Sequence, residues 1–148
     1  MARPHRLRDY DEYTISVINR PSVQSFLSKH SIKSLELPKI YSSPTCGVSV
    51  AGQTWITKNG ESDIELSSWV LVSSTETRRV IRHEIAHILK FICKLQGGSH
   101  GKGFNRALKA TCPRTWRKDK HWYPSEKIDI ARKKHHPRLK DGLDNISH

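Results

Sequence analysis

The chain has little cysteine, almost no methionine and no long apolar run, and each shortage excludes something. Cys46, Cys93 and Cys112 are the only cysteines in 148 residues. None pairs as Cys-x-x-Cys, so a four-cysteine zinc ribbon is excluded, and an odd number of scattered thiols fits a reducing compartment. Met1 is the only methionine, which removes zinc peptidases built around a downstream methionine turn. No stretch has the apolar length needed to span a bilayer. The basic start, Met1-Ala2-Arg3-Pro4-His5-Arg6-Leu7-Arg8, lacks the apolar core of a secretory signal. We therefore expect an intracellular protein, cytoplasmic or nucleic-acid-associated, neither secreted nor membrane-bound.

Acidic residues are also scarce. Lys and Arg number 26 against 14 Asp and Glu, a formal net charge of +12. The surplus is uneven: residues 101–148 hold 13 basic and 5 acidic side chains, residues 1–100 hold 13 and 9. Aromatic residues interleave with the basic ones at Arg114, Trp116, Arg117, Lys118, Lys120, His121, Trp122 and Tyr123. Cations pair with phosphates and aromatic faces stack on unpaired bases, so Arg114, Trp116, Arg117, Lys118, Lys120 and Trp122 are the candidate nucleic-acid contacts. DNA is the expected partner, single-stranded or duplex. A second basic cluster spans residues 132–138. A solvated tail, an anionic membrane or an acidic protein would account for the same charge.

What the chain does contain is a metal-binding pattern. His83-Glu84-Ile85-Ala86-His87 is a His-Glu-x-x-His sequence. On a helix, residues four apart share a face, so both imidazoles can grip one ion with Glu84 beside it. The helix itself is well signalled. Ser73-Ser74-Thr75-Glu76 reads as a capping box. Val80, Ile81, Ile85, Ile88, Leu89 and Ile92 recur at helical spacing, and Gly97-Gly98 reads as the stop. His100 follows in Ser99-His100-Gly101-Lys102-Gly103-Phe104 and supplies a third ligand. Three protein ligands with one open position mark a catalytic zinc site rather than a structural one. Glu126 is the only Glu after Glu84, and its polar, basic setting ranks it below His100. The bland alternative is a buried helix whose histidines only hydrogen-bond in the core.

Residues 64–113 resemble the SprT-like (Spartan-type) zinc metalloproteases. Arg82-His83-Glu84-Ile85-Ala86-His87 is similar to that family's active-site helix. His100-Gly101-x-x-Phe104 is similar to its third-ligand segment, and Ala110-Thr111-Cys112-Pro113-Arg114 to the family's continuation after that segment. Ile64-Glu65-Leu66-Ser67 resembles the family's edge strand. The resemblance implies one Zn2+ per chain on His83, His87 and His100, with Glu84 as the catalytic base. It also implies a protein substrate pairing with Ile64, Glu65, Leu66 and Ser67. The form would be minimal, without the zinc ribbon that many relatives carry.

The remaining organisation comes from breakers and periodicity. Residues 9–20 predict a helix, and Pro21 opens a second one. Leu35, Leu37 and Ile40, then Val48 and Val50, predict strands. Gln53 to Thr57 predicts another, closed by a turn at Lys58-Asn59-Gly60-Glu61. Ile64, Leu66 and then Trp69-Val70-Leu71 predict the last strand and its exit. Lys102 to Thr111 predicts a helix burying Phe104, Ala107, Leu108 and Thr111. Trp55 and Trp69 read as core or groove packing. The expected fold is α+β: a small zincin-like metalloprotease core with a short antiparallel sheet packed on the motif helix. We place a helical N-terminal segment at 1–30, the core at 31–113 and a basic extension at 114–148. His121 and Tyr123 are possible oxyanion donors, though surface contact suits them better. The expected activity is zinc-dependent hydrolysis of peptide bonds in nucleic-acid-associated proteins. The alternative is a non-catalytic nucleic-acid or assembly-binding module on the same fold.

Overall fold

A computed structural model describes residues 5–43, 51–120 and 130. The helix that carries the motif, α3 (Ser74–Ile92), organises the rest. Ser73 caps it, its side chain accepting from the Glu76 N–H at 3.3 Å. That satisfies one of the amides a helix start leaves open. Val80, Ile81, Ile85, Ile88 and Leu89 are buried, as their spacing predicts, and Ile92 at the end of the helix is partly buried. The helix stops at Ile92, short of Gly97-Gly98. Lys94 adopts a left-handed φ of 54°. The Lys94 amide then donates to the Phe91 carbonyl at 3.1 Å, and the Leu95 amide to the Lys90 carbonyl at 3.0 Å. This is a Schellman closure with lysine where glycine is usual.

On one side of α3 lies a four-stranded sheet of β1 (His5–Arg6), β2 (Lys39–Ser43), β3 (Gly52–Ile56) and β4 (Ser62–Ser67), ordered β1-β2-β4-β3. The sheet is mixed, which corrects the antiparallel expectation. β2 and β4 run parallel, Lys39 opposite Asp63 through Ser43 opposite Ser67. The β1–β2 and β3–β4 pairs are antiparallel. Burial explains the order. Ile64 and Leu66 are fully buried, so β4 takes an interior place. β3, with Trp55 57% exposed, takes the edge. The β3–β4 turn forms as predicted, with Gly60 at φ 85° and the Thr57 amide bonded to the Glu61 carbonyl. Leu35 and Leu37 join no strand. Pro38, which has no N–H for a ladder, precedes β2. Trp69 is core, within a 3-10 turn over Ser68–Val72 rather than a strand exit.

On the other side pack α1 (Asp11–Ile18), α2 (Pro21–Lys29), α4 (Lys102–Thr111) and α5 (Trp116–Lys120). Val17, Val23 and Leu27 share one apolar cluster with Ile40, Leu66, Ile85, Leu108 and Cys112. Thus α1 and α2, inside the expected N-terminal segment, pack into the core that holds the motif. α5, within the expected basic extension, is pinned by Asp119. That residue is 3% exposed, and Arg79 and Arg82 of α3 hold it at 3.1 Å each. Arg82 also donates to the Tyr13 hydroxyl at 2.8 Å, tying in α1. Among the described residues no helix is long and apolar enough to cross a membrane.

Candidate metal centre

His83 and His87 leave α3 one turn apart, and the segment after the helix returns to bring His100 to them. The three Nε2 atoms converge. His83 lies 3.1 Å from His100 and 3.2 Å from His87, and all three ligand atoms fall within 4.8 Å of one another. Tetrahedral coordination at ordinary metal–nitrogen lengths spaces neighbouring ligand atoms by about 3.3 Å. The donor set therefore suits a single metal ion. The Phe104 ring of α4 packs against all three imidazoles, centroid to centroid 4.8, 4.5 and 4.9 Å, and fixes their planes.

The return segment is held by contacts that sequence reasoning missed. Lys90 Nζ donates to the carbonyls of Gly97, at 3.1 Å, and Gly98, at 2.6 Å. A lysine in the last turn of a helix ordinarily reads as a solvated cation. Here it ties the turn carrying His100 to the helix carrying the other two ligands. Gly97 sits at φ 110°, which side chains disfavour. At Gly103 a Cβ would overlap the Gln96 carbonyl oxygen.

Burial sets the protonation states. His87 is pushed down to about 4 by burial, helped by His100 and Lys90. His100 is lowered by burial and then by Lys90. Both rings are neutral at pH 7, as metal ligands must be. Glu84, 3% exposed, is pushed up to about 8 by burial. The Thr54 hydroxyl beside it pulls the other way, yet that oxygen has no hydrogen bond of ordinary geometry. Glu84 is thus a buried carboxyl beside the ligand cluster that is protonated at neutral pH without metal; a bound cation would favour its ionised, proton-accepting form.

An open cavity of about 740 Å3 lies over the cluster, with Gly52, Thr54, Glu84, His87, Phe91 and His100 in its wall. One rim is β3. This corrects the expected substrate strand. Ile64, Glu65, Leu66 and Ser67 lie on β4, paired on both sides by β2 and β3, so that strand has no open edge. Ile64 and Leu66 point into the core. The alternating apolar pattern that singled out β4 marks burial, and the edge belongs to its less buried hairpin partner.

The predicted nucleic-acid contacts separate. Arg114, Arg117, Lys118 and Lys120 are exposed on and before α5. Trp116 is half-buried against the core, with the Arg117 guanidinium 5.4 Å from its ring centroid. Trp122 lies outside the described residues, as do His121, Tyr123, Glu126, Cys46, Val48, Val50 and residues 132–138. Cys93 and Cys112 are free thiols.

The model of the SprT-like family matches residues 19–121, from the start of α2 past α5. No curated protein and no solved structure matches the chain.

Proposed function

We propose that this chain, which belongs to the SprT-like family, is a zinc-dependent endopeptidase acting on nucleic-acid-associated proteins inside the cell. The observation that carries the reading is the convergence of three imidazoles with the buried Glu84 carboxyl in the wall of one open cavity, under a strand edge left open among the described residues. The same arrangement, a motif helix below an edge strand, supports a zincin-like description of the core.

His83, His87 and His100 would hold the ion, and Phe104 and Lys90 keep them in place. When bound, zinc would act as a Lewis acid toward the scissile carbonyl and acidify a coordinated water. The open edge of β3 suits an extended peptide added as a further strand, with main-chain bonds providing affinity and alternate side chains meeting the cavity wall. Glu84 takes the proton of the attacking water and delivers it to the leaving nitrogen. Burial alone favours its protonated form, and a bound cation would favour the ionised form that accepts the proton. A module that only binds has no need of such a carboxyl. Arg114, Arg117, Lys118 and Lys120, exposed on and before α5, would form the cationic surface that holds the nucleic acid carrying the substrate.

The test compares parent protein with Glu84→Gln, both loaded with zinc and checked for metal content. The parent should cleave an unstructured protein substrate and the variant should not, at equal zinc occupancy. Equal cleavage by both would remove Glu84 from the chemistry.

A further inference from the structure

Where the start of α2 meets the end of α4, a second open cavity of about 630 Å3 is walled by Arg20, Ser22, Arg82, Cys112, Arg114 and Thr115, with Pro21 and Pro113 completing the rim. Three arginines line it, and among the described residues no carboxylate does. A guanidinium carries five N–H donors. Arg20 donates to the Thr111 carbonyl at 2.6 Å through Nη1. Arg82 is turned by Asp119 and Tyr13, which take its Nε, Nη1 and Nη2. Arg114 is exposed at the mouth.

The hydroxyls in the wall give their protons elsewhere. Ser22 donates to the Ala110 carbonyl at 2.5 Å, and Thr115 to Asp119 at 2.9 Å. The wall therefore offers guanidinium donors to a ligand rich in acceptors. Local charge favours an anion as well. The carboxylate behind the wall, Asp119, meets both Arg79 and Arg82, so cations remain in excess. α2 opens at Pro21 with no acidic residue in its first turn and no side-chain cap, which adds the positive end of its dipole. The Cys112 thiol in the wall is pushed up to about 12, first by burial and then by Asp119. It is a neutral thiol, which argues for binding rather than thiolate chemistry.

We propose that this cavity is a phosphate pocket that seats one phosphodiester unit of a nucleic-acid strand between Arg20 and Arg114. Arginine is suited to phosphate because two parallel N–H bonds can meet two oxygens. The cavity is in the range that holds a nucleotide-sized group, and a bare phosphate would leave most of it empty. The adjoining Arg117, Lys118 and Lys120 continue the positive surface along α5, as a strand with several phosphates would require. The identity of the carrier rests on the nucleic-acid reading above; the pocket rests on its own wall.

The test is an amide-resolved NMR titration of the zinc-loaded full chain with inorganic phosphate, a mononucleotide and a short oligonucleotide. The expected result is perturbation at Arg20, Ser22, Arg114 and Thr115 by all three, tightest for the oligonucleotide. Arg114→Gln, at an exposed position, should weaken oligonucleotide binding about tenfold and lower the salt slope by about one. Arg20→Gln should do the same, with its thermal midpoint recorded because the bond to Thr111 is lost. Perturbations confined to the His83–His87–His100 region, or variants binding as the parent does, would overturn the pocket. Perturbation by free phosphate with none by the oligonucleotide would overturn the strand as its source. Peptide cleavage is read separately, so a failed peptidase assay would count against the proposed reaction while the pocket is judged on the titration.

Discussion

Glu84 should make the metal-free protein less stable as pH rises, and Glu84→Gln should remove that penalty. The carboxyl titrates near 4.5 when unfolded and near 8 when folded without metal. Between those values the folded state holds a proton that the unfolded state has released, so folding stability falls as pH increases. Every pH step of one between the two values is worth about 1.4 kcal/mol, which sets a ceiling of about 5 kcal/mol by pH 8. Local opening and water entry reduce it, and a loss of about 2–3 kcal/mol is the working expectation. His87 acts in the opposite sense. Its folded value, about 4, lies below the ordinary 6.5. Its contribution is complete above pH 6.5 and is lost as pH falls toward 4. The metal-free parent should therefore show a stability maximum in the mildly acidic range. The variant should rise to about pH 6.5 and then level off. Urea unfolding of chelator-treated protein at half-unit steps from about pH 5 to about pH 8.5 measures this, with the slope m checked for constancy. Parallel parent and variant curves across that range would refute the placement of Glu84 as a buried, protonated carboxyl.

Three further perturbations probe other parts of the molecule. Lys90→Met frees the Gly97–Gly98 turn and should weaken zinc binding about tenfold or more, read by competition with a chromophoric chelator. Lys90→Arg should restore part of that affinity, and unchanged affinity in Lys90→Met would remove the tether from the site. Asp119→Ala leaves Arg79 and Arg82 without their shared partner and should cost about 3 kcal/mol in denaturant unfolding; a loss under about 0.5 kcal/mol would mean α5 is not anchored there. Replacing Arg114, Arg117, Lys118 and Lys120 by Ala should lower both affinity for oligonucleotides and its dependence on salt, and a salt slope equal to the parent's would disconnect α5 from phosphate.

Features legible in the sequence were those governed by local spacing. His83 and His87 are one turn apart, Ser73 stands three residues before the amide it caps, and Lys102 to Thr111 carries its apolar face in its own periodicity. His100 needed the family resemblance as well as the pattern. What escaped depends on partners distant along the chain. The place of β4 inside the sheet comes from its parallel pairing with β2, which no local pattern encodes. Asp119 sits in Trp116-Arg117-Lys118-Asp119-Lys120 and reads as surface, yet it is buried by two arginines 40 and 37 residues earlier. Lys94 closes α3 in a conformation that a lysine does not announce, so Gly97 looked like the stop. The cavity at Arg20 and Arg114 joins residues more than ninety positions apart and exists only once α2 meets the end of α4.

Whether three imidazoles and Glu84 form a working hydrolytic site is decided most directly by measuring zinc content and cleavage together, on one preparation, with a DNA-bound protein as substrate. One zinc per chain is expected, with cleavage that disappears with chelator and returns with zinc, and no cleavage by fully loaded Glu84→Gln. A parent that holds one zinc per chain and binds the DNA-bound protein without cutting it would contradict the hydrolytic assignment and identify a binding module on this fold.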